Sequence, residues 1–175
     1  MKVVAFAASS SRHSINKKLV AYAAGLLENV EVEILDLNDY ELPLFSVDRE
    51  RELGHPPLAQ AFFDKIGQSD ALIISFAEHN GAYTAAYKNL FDWCSRIDPK
   101  VFQNKPMVLL STSPGARGAS TVLGIASAAA PRFGGIVRAS ISVPRFTENF
   151  DENTETVTNP EIRAQIQNAV KTLGE

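Results

Sequence analysis

Three short stretches are apolar almost without interruption: Val3-Val4-Ala5-Phe6-Ala7-Ala8, Ala71-Leu72-Ile73-Ile74-Ser75-Phe76 and Met107-Val108-Leu109-Leu110-Ser111. Runs of this length, bounded by polar and turn-forming residues, read as strands buried on both faces. Two other stretches, Glu31-Val32-Glu33-Ile34-Leu35-Asp36 and Val137-Arg138-Ala139-Ser140-Ile141-Ser142-Val143, alternate polar and apolar, as a strand does when one face meets water. The pattern predicts five strands, at residues 2–7, 31–36, 70–76, 106–113 and 136–143. Between and after them the apolar spacing changes to that of helices, near residues 16–28, 57–68, 83–95, 119–130 and 160–173. The last is the best punctuated. Asn159 caps it, Pro160 takes its first position, and Ile162, Ile166, Ala169, Val170 and Leu173 share one face.

Strand–helix alternation argues for an α/β fold, a parallel sheet with helices on both faces. The two alternating strands, second and fifth in the chain, belong at its edges. That places the strands in the doubly wound order 2-1-3-4-5 and not in the order 3-2-1-4-5-6, where strand two is internal. No repeat or linker divides residues 1–175, which read as one domain. The segment 37–56, apolar in front and charged behind, reads as a packed surface loop at an interface.

Composition narrows the classes. A chain of 175 residues buries roughly 70% of the surface it exposes when unfolded, enough for a sizeable core. The net charge is −3 with a pI of about 5.7, and neither a basic stripe nor a zinc-finger spacing occurs, which argues against nucleic acid as a partner. Cys94 is the single cysteine, so no intramolecular disulfide forms and a reducing compartment is expected. Beside Trp93 in a helical pattern, it reads as a small buried hydrophobe. No apolar run approaches the roughly 20 residues that span a bilayer, and the run after Lys2 is too short for a signal peptide. The expectation is a cytoplasmic protein with no membrane partner.

In open parallel sheets ligands bind outside the carboxyl ends of the strands, where the strand order reverses. Three loops meet there: Ser-Ser-Ser-Arg-His-Ser-Ile-Asn at 9–16, Ala-Glu-His-Asn-Gly-Ala-Tyr at 77–83 and Thr-Ser-Pro-Gly-Ala-Arg-Gly-Ala at 112–119. The first suits a phosphate. Ser9, Ser11 and Ser14 offer hydroxyls, Asn16 an amide and Arg12 a positive charge, and the following helix adds its free N–H groups and dipole. Capping alone needs one such residue; this loop is polar at every position but Ile15. The second loop offers backbone donors to a planar ring, although Asn80-Gly81 is a turn signal by itself. In the third, glycines allow a ligand to approach the backbone, and turn chemistry alone also accounts for them. The GxxxxGK[ST] and GxGxxG fingerprints are absent, which disfavours an ATPase and a nicotinamide nucleotide held in the Rossmann manner. His13, His55 and His79 show no metal spacing, and GxSxG is missing.

Together the three loops resemble those of the NADPH-dependent FMN reductase family, flavodoxin-like flavoproteins that include quinone, azo-dye and chromate reductases. The resemblance runs over nearly the whole chain, including Leu-Pro-Leu-Phe-Ser-Val-Asp at 42–48, Ser-Asp-Ala-Leu-Ile-Ile-Ser at 69–75 and Tyr-Lys-Asn-Leu-Phe-Asp-Trp at 87–93. Family members show GSxRxxSxN-like, PEYNG and SPGGRGG loops, where this chain has SSSRHSIN, AEHNG and SPGARGA. The first glycine is absent, Arg12 lies one residue closer to Ser14, Ala77 replaces the proline and His79 the tyrosine. The resemblance implies that Ser9, Ser11, Arg12, Ser14, Ile15 and Asn16 hold the phosphate of FMN. Glu78, His79, Asn80 and Gly81 would border its ring, and Ser113, Pro114, Gly115 and Arg117 would meet the other side. It further implies NADPH or NADH as hydride donor and two-electron, ping-pong reduction of quinones, free flavin or similar small electron acceptors. The flavin would carry the chemistry, so no side chain is assigned as catalytic. A homodimer or homotetramer bordering the flavin is also implied, with Leu42, Leu44, Phe45, Tyr83, Tyr87, Phe91 and Trp93 as a surplus of bulky groups. Two other classes share the fold: a single-electron carrier of flavodoxin type, for which a charge of −3 is small, and a non-catalytic flavin or nucleotide sensor.

Overall fold

Successive side chains of a strand point to opposite faces of its sheet. In β1 (Lys2–Ala8), Val4, Phe6 and Ala8 enter one core, while Val3, Ala5 and Ala7 enter the other. The same division runs through β3 (Ala71–Phe76) and β4 (Lys105–Thr112). The computed structural model describes residues 1–175 and joins these with β2 (Glu31–Leu35) and β5 (Gly135–Val143) in a parallel sheet. The order is β2-β1-β3-β4-β5, as the placing of the alternating strands at the edges predicts.

Helices α1 (Ile15–Gly25) and α7 (Pro160–Lys171) cover one face. The other is covered by α3 (Pro57–Gln68), α4 (Ala85–Ile97) and α5 (Ser120–Ala129). No helix is long and apolar enough to cross a membrane. Cys94 is fully buried under α3, its thiol donating to the Ala59 carbonyl at 3.6 Å, and burial pushes that thiol up to about 12.

Two segments differ from the sequence expectation. Residues 37–56 are not all loop: they hold a 3₁₀ turn, Leu37–Tyr40, and helix α2 (Val47–Leu53). No residue of α2 is buried, so it has no apolar stripe to betray it; its local signals are at its ends, Ser46, which caps the Arg49 amide at 3.1 Å, and Gly54, which closes it at φ 66°. Between β5 and α7 lie a short helix α6 (Phe146–Asn149) and a hairpin of β6 (Phe150–Asp151) and β7 (Thr156–Val157). Phe146 and Phe150 stack at 4.6 Å and extend the core on the α1–α7 face.

The bulky surplus is also largely engaged within the chain. Trp93 is 0% exposed, donates to the Pro43 carbonyl at 2.8 Å and meets Phe45 edge-on. Asn89 holds the same strap, accepting from the Phe45 amide at 2.8 Å and donating to the Pro43 carbonyl at 3.1 Å. Leu44, at 80% exposed, is what remains.

Candidate functional site

Loop 9–16 closes on itself through its serines. The Ser11 amide donates to Ser9 Oγ at 3.1 Å, the Ser14 amide to the Ser11 carbonyl at 3.2 Å, and the Lys17 amide to Ser14 Oγ at 3.3 Å. Ser14 is thereby the N-cap of α1. Ser9 and Ser14 accept in these bonds, so their hydroxyl protons remain available to a ligand. The amides of Arg12, His13, Ile15 and Asn16 donate to no acceptor in the protein. Donors so placed, at the positive end of a helix, have the chemistry that suits an anion. Lys17 and Lys18 make the neighbouring ion pairs, leaving the exposed Arg12 guanidinium unpaired.

Asn16 is placed differently from the sequence reading. Its side chain is 2% exposed and turned into the sheet, not toward the loop. Nδ2 donates to the Thr112 carbonyl at 3.2 Å; Oδ1 accepts from the Thr112 amide at 3.0 Å and the Ser75 hydroxyl at 2.8 Å. Its Oδ1 is thereby fully engaged, and its backbone N–H has no acceptor in the protein. Around it, Thr112 Oγ1 donates to the Val143 carbonyl at 2.7 Å, Ser111 Oγ to the Gly118 carbonyl at 2.7 Å and Thr84 Oγ1 to the Ala8 carbonyl at 2.9 Å. A belt of buried polar groups thus runs across the carboxyl ends of the strands, and no buried side-chain nitrogen or oxygen lacks a partner.

The second loop is a tight hairpin. His79 and Ala82 exchange backbone bonds of 3.1 and 3.2 Å, and Asn80 and Gly81 both have positive φ, 54° and 76°, the signature of a type I′ turn. The third loop is pinned from behind: the Phe146 and Arg145 amides donate to the Ser113 and Gly115 carbonyls at 3.1 and 2.9 Å. Gly118 has φ +55°, and a Cβ there would lie 2.8 Å from Pro144 N and from the Val143 carbonyl carbon. Only glycine fits.

On the outer side, Asn38 donates to the Ser10 carbonyl at 3.0 Å and to Asp36 Oδ1 at 2.8 Å. Hydrogen bonds from the Lys17 ammonium and the Asn38 amide hold the Asp36 carboxyl down at about 2. This brace was missed from sequence because its residues are scattered over the loop after β1, helix α1 and the exit of β2.

The three loops share one cleft of about 260 Å³. Ser9, Ser11, Ser14, Ile15, Asn16, Glu78, His79, Ser113 and Pro114 line it, joined by His13, Ala77 and Thr112. Arg12, Asn80, Gly81, Gly115 and Arg117 are outside that lining. A second cleft, of about 320 Å³, lies beside Ser10 between Tyr40 and α4, but its Asn38 and Asn89 amides are already engaged. The aromatic cavity between α4 and α5 holds about 40 Å³, room for about one water.

Fold and site together define a doubly wound α/β protein with a loop of unpaired amide donors at the switch point of its sheet. The chain belongs to the NADPH-dependent FMN reductase family, whose family model matches residues 1–147. It is 31% identical over 122 residues to an NADPH:quinone oxidoreductase of Arabidopsis thaliana, covering 67% of this chain and 61% of that protein. It is 31% identical over 119 residues to the NAD(P)H-dependent FMN reductase PA1204 of Pseudomonas aeruginosa, covering 67% and 63%. The matched region thus spans a little under two thirds of those relatives' length. The fold is similar to that of FerB, a flavoenzyme NAD(P)H:(acceptor) oxidoreductase from Paracoccus denitrificans, with a TM-score of 0.81, 24% identity, and coverage of 98% and 94% of the two chains.

Proposed function

We propose that this protein is an FMN-dependent NAD(P)H oxidoreductase that reduces quinones, free flavin or similar small acceptors by two-electron, ping-pong transfer. The observation that carries the reading is the row of unpaired amides at the start of α1, those of His13, Ile15 and Asn16 belonging to residues that line a cleft bounded by the two other loops and that of Arg12 lying beside it. Those amides, the Ser9 and Ser14 hydroxyl protons and the Arg12 guanidinium fit the phosphate of FMN, with Ser11 and Ile15 shaping the loop. Bound FMN would supply the redox chemistry, accepting hydride from NADPH or NADH and passing two electrons to the acceptor. The protein's part is to hold and orient: Glu78, His79, Asn80 and Gly81 border one side of the ring, and Ser113, Pro114, Gly115 and Arg117 the other. A relative named 2-hydroxy-1,4-benzoquinone reductase, 32% identical over 120 residues, supports a quinone-like acceptor.

The finer reading is a cytoplasmic homodimer or homotetramer. A single buried cysteine fits a reducing compartment, and Leu44, Val47, Leu53 and Leu58, each more than 40% exposed, leave an apolar surface on the 37–58 segment for a second copy. Light scattering showing a monomer at micromolar concentration would remove the oligomer.

The test of function is direct. Native protein should bind FMN much more tightly than riboflavin, and NADPH or NADH should bleach the flavin absorbance. Initial rates at several quinone concentrations should give parallel lines. A flavin that neither nucleotide reduces would reject the reductase.

A further inference from the structure

Helix α5 begins without a cap of its own. Its N-cap residue is Ala119, in the left-handed region at φ 59°, with no side-chain acceptor. Ala119 is buried in the core, and Gly118 before it has no room for a Cβ, so this turn leaves no place for a serine, threonine or aspartate. Yet the Val122 amide, which a capping side chain ordinarily serves, is paired. It donates at 3.0 Å to Oε1 of Glu78, 44 residues earlier in the chain. The acceptor is an acid at the positive end of the helix dipole. Glu78 belongs to the loop after β3, the helix to the loop after β4, and Glu78 itself lines the cleft.

We propose that Glu78 is a positioning residue: its carboxylate clasps the His79–Ala82 hairpin to the start of α5, so that the two loops flanking the flavin ring move as one body. This rests on the FMN reading of the cleft. The hairpin has few other holds. Residues 79–82 are exposed, and beyond their own two backbone bonds the anchors on the far side are Tyr83, whose ring packs 5.8 Å from Phe76 and 5.1 Å from Tyr87, and Thr84, bonded to the Ala8 carbonyl at 2.9 Å. On the near side Glu78 is the side-chain tie.

Amide hydrogen exchange in flavin-free protein tests the clasp without any ligand. Glu78→Ala should speed exchange about tenfold at Val122 and, together with it, at His79 and Ala82, leaving α7 unchanged. Glu78→Gln keeps the acceptor atom and should restore most of the protection; Glu78→Asp keeps the charge but falls one methylene short and should behave like alanine. If Glu78→Ala does not fold, the Gln and Asp variants carry the same comparison. In flavin titrations Glu78→Ala should weaken FMN and riboflavin equally, by about tenfold, and alter the visible circular dichroism of bound flavin. Faster exchange confined to Val122, with hairpin protection and flavin affinity unchanged, would reduce Glu78 to an ordinary helix cap and overturn the proposal. A native protein that binds no FMN would instead overturn the site reading, while hairpin exchange still decides the clasp.

Discussion

The two ends of the same sheet are held by different chemistry. At the amino end the ties are ionic and partly exposed: Lys2 pairs with Glu33 at 3.0 Å and Glu31 at 3.7 Å, Lys65 also pairs with Glu33, and the Lys2 amide donates to Asp70 at 2.7 Å. At the carboxyl end the ties are neutral and buried: Asn16, Ser75, Ser111 and Thr112 bond one another and the backbone. An exposed ion pair contributes about 0–1 kcal/mol and fades with salt. A neutral buried bond also contributes only about 1 kcal/mol net, but orphaning a buried partner costs about 1–3 kcal/mol. The difference has a functional logic. A platform for a dianion must be rigid without carrying negative charge of its own, and neutral amides and hydroxyls meet both requirements. Of the carboxylates nearest the loops, Asp36 is neutralised by Lys17 and Glu78 is engaged with α5.

The largest expected effect comes from removing the centre of the neutral belt. Asn16→Leu keeps the branched heavy-atom shape but orphans the Thr112 amide and carbonyl and the Ser75 hydroxyl. A loss of about 3 kcal/mol or more is expected, read as a lower denaturant midpoint at unchanged slope. Glu33→Gln at the opposite end should cost less than about 1 kcal/mol. Equal costs would erase the contrast between the two ends.

Glycines give the next contrast. Gly118→Ala forces a left-handed alanine against the backbone of Val143 and Pro144 and should destabilise by about 2–3 kcal/mol. Gly25→Ala, where a Cβ meets nothing within 4 Å, should be neutral or stabilise by about 0.5–1 kcal/mol. Thermal melts of the two variants settle the sign.

The sequence told the two ends apart only in part. Strand order was legible because β2 and β5 carry polar residues where β1, β3 and β4 do not, the imprint of edge strands that meet water, where Ile34 and Ile136 also stay exposed. The convergence of the three loops followed from that order. What stayed hidden was the direction of side chains. Asn16 sits in a loop so polar that its amide looked like one more ligand donor, and nothing local tells a hydroxyl or amide that turns inward from one that turns outward. Glu78 and Val122, or Asn38 and Ser10, meet across tens of residues with no periodicity to link them. Helix α2 escaped for the opposite reason, since it buries nothing.

Arg12 sharpens the comparison from the ligand's side. It has no partner in the protein, so Arg12→Ala should leave the melting temperature unchanged while weakening FMN about tenfold or more, as a charge-assisted bond of about 1.5–3 kcal/mol requires. Riboflavin, lacking the phosphate, should be unaffected. Fluorescence titration of both flavins reads the difference, and an equal loss for both would move Arg12 off the phosphate.

The smallest effect is the pH dependence of the Lys17–Asp36 ion pair at the carboxyl end. Asp36 is depressed from 3.8 to about 2, chiefly by the Lys17 hydrogen bond and then by the Asn38 amide. A carboxylate that ionises more readily when folded stabilises the native state above its unfolded value and loses that contribution as protons are taken up. The stabilisation should therefore be complete above about pH 4 and fall away toward pH 2. The Asp36 side chain is 32% exposed, so solvent screening keeps the contribution below about 1 kcal/mol. Denaturant midpoints at pH 5 and pH 2.5 should differ less in Asp36→Asn than in the native protein, and the gap between them should shrink in 1 M salt. Asn16→Leu, acting on neutral groups, should cost the same at both pH values and in either salt. If its cost followed pH or salt as that of Asp36→Asn does, the belt would be electrostatically coupled to the brace outside it, and the two kinds of tie would no longer be independent.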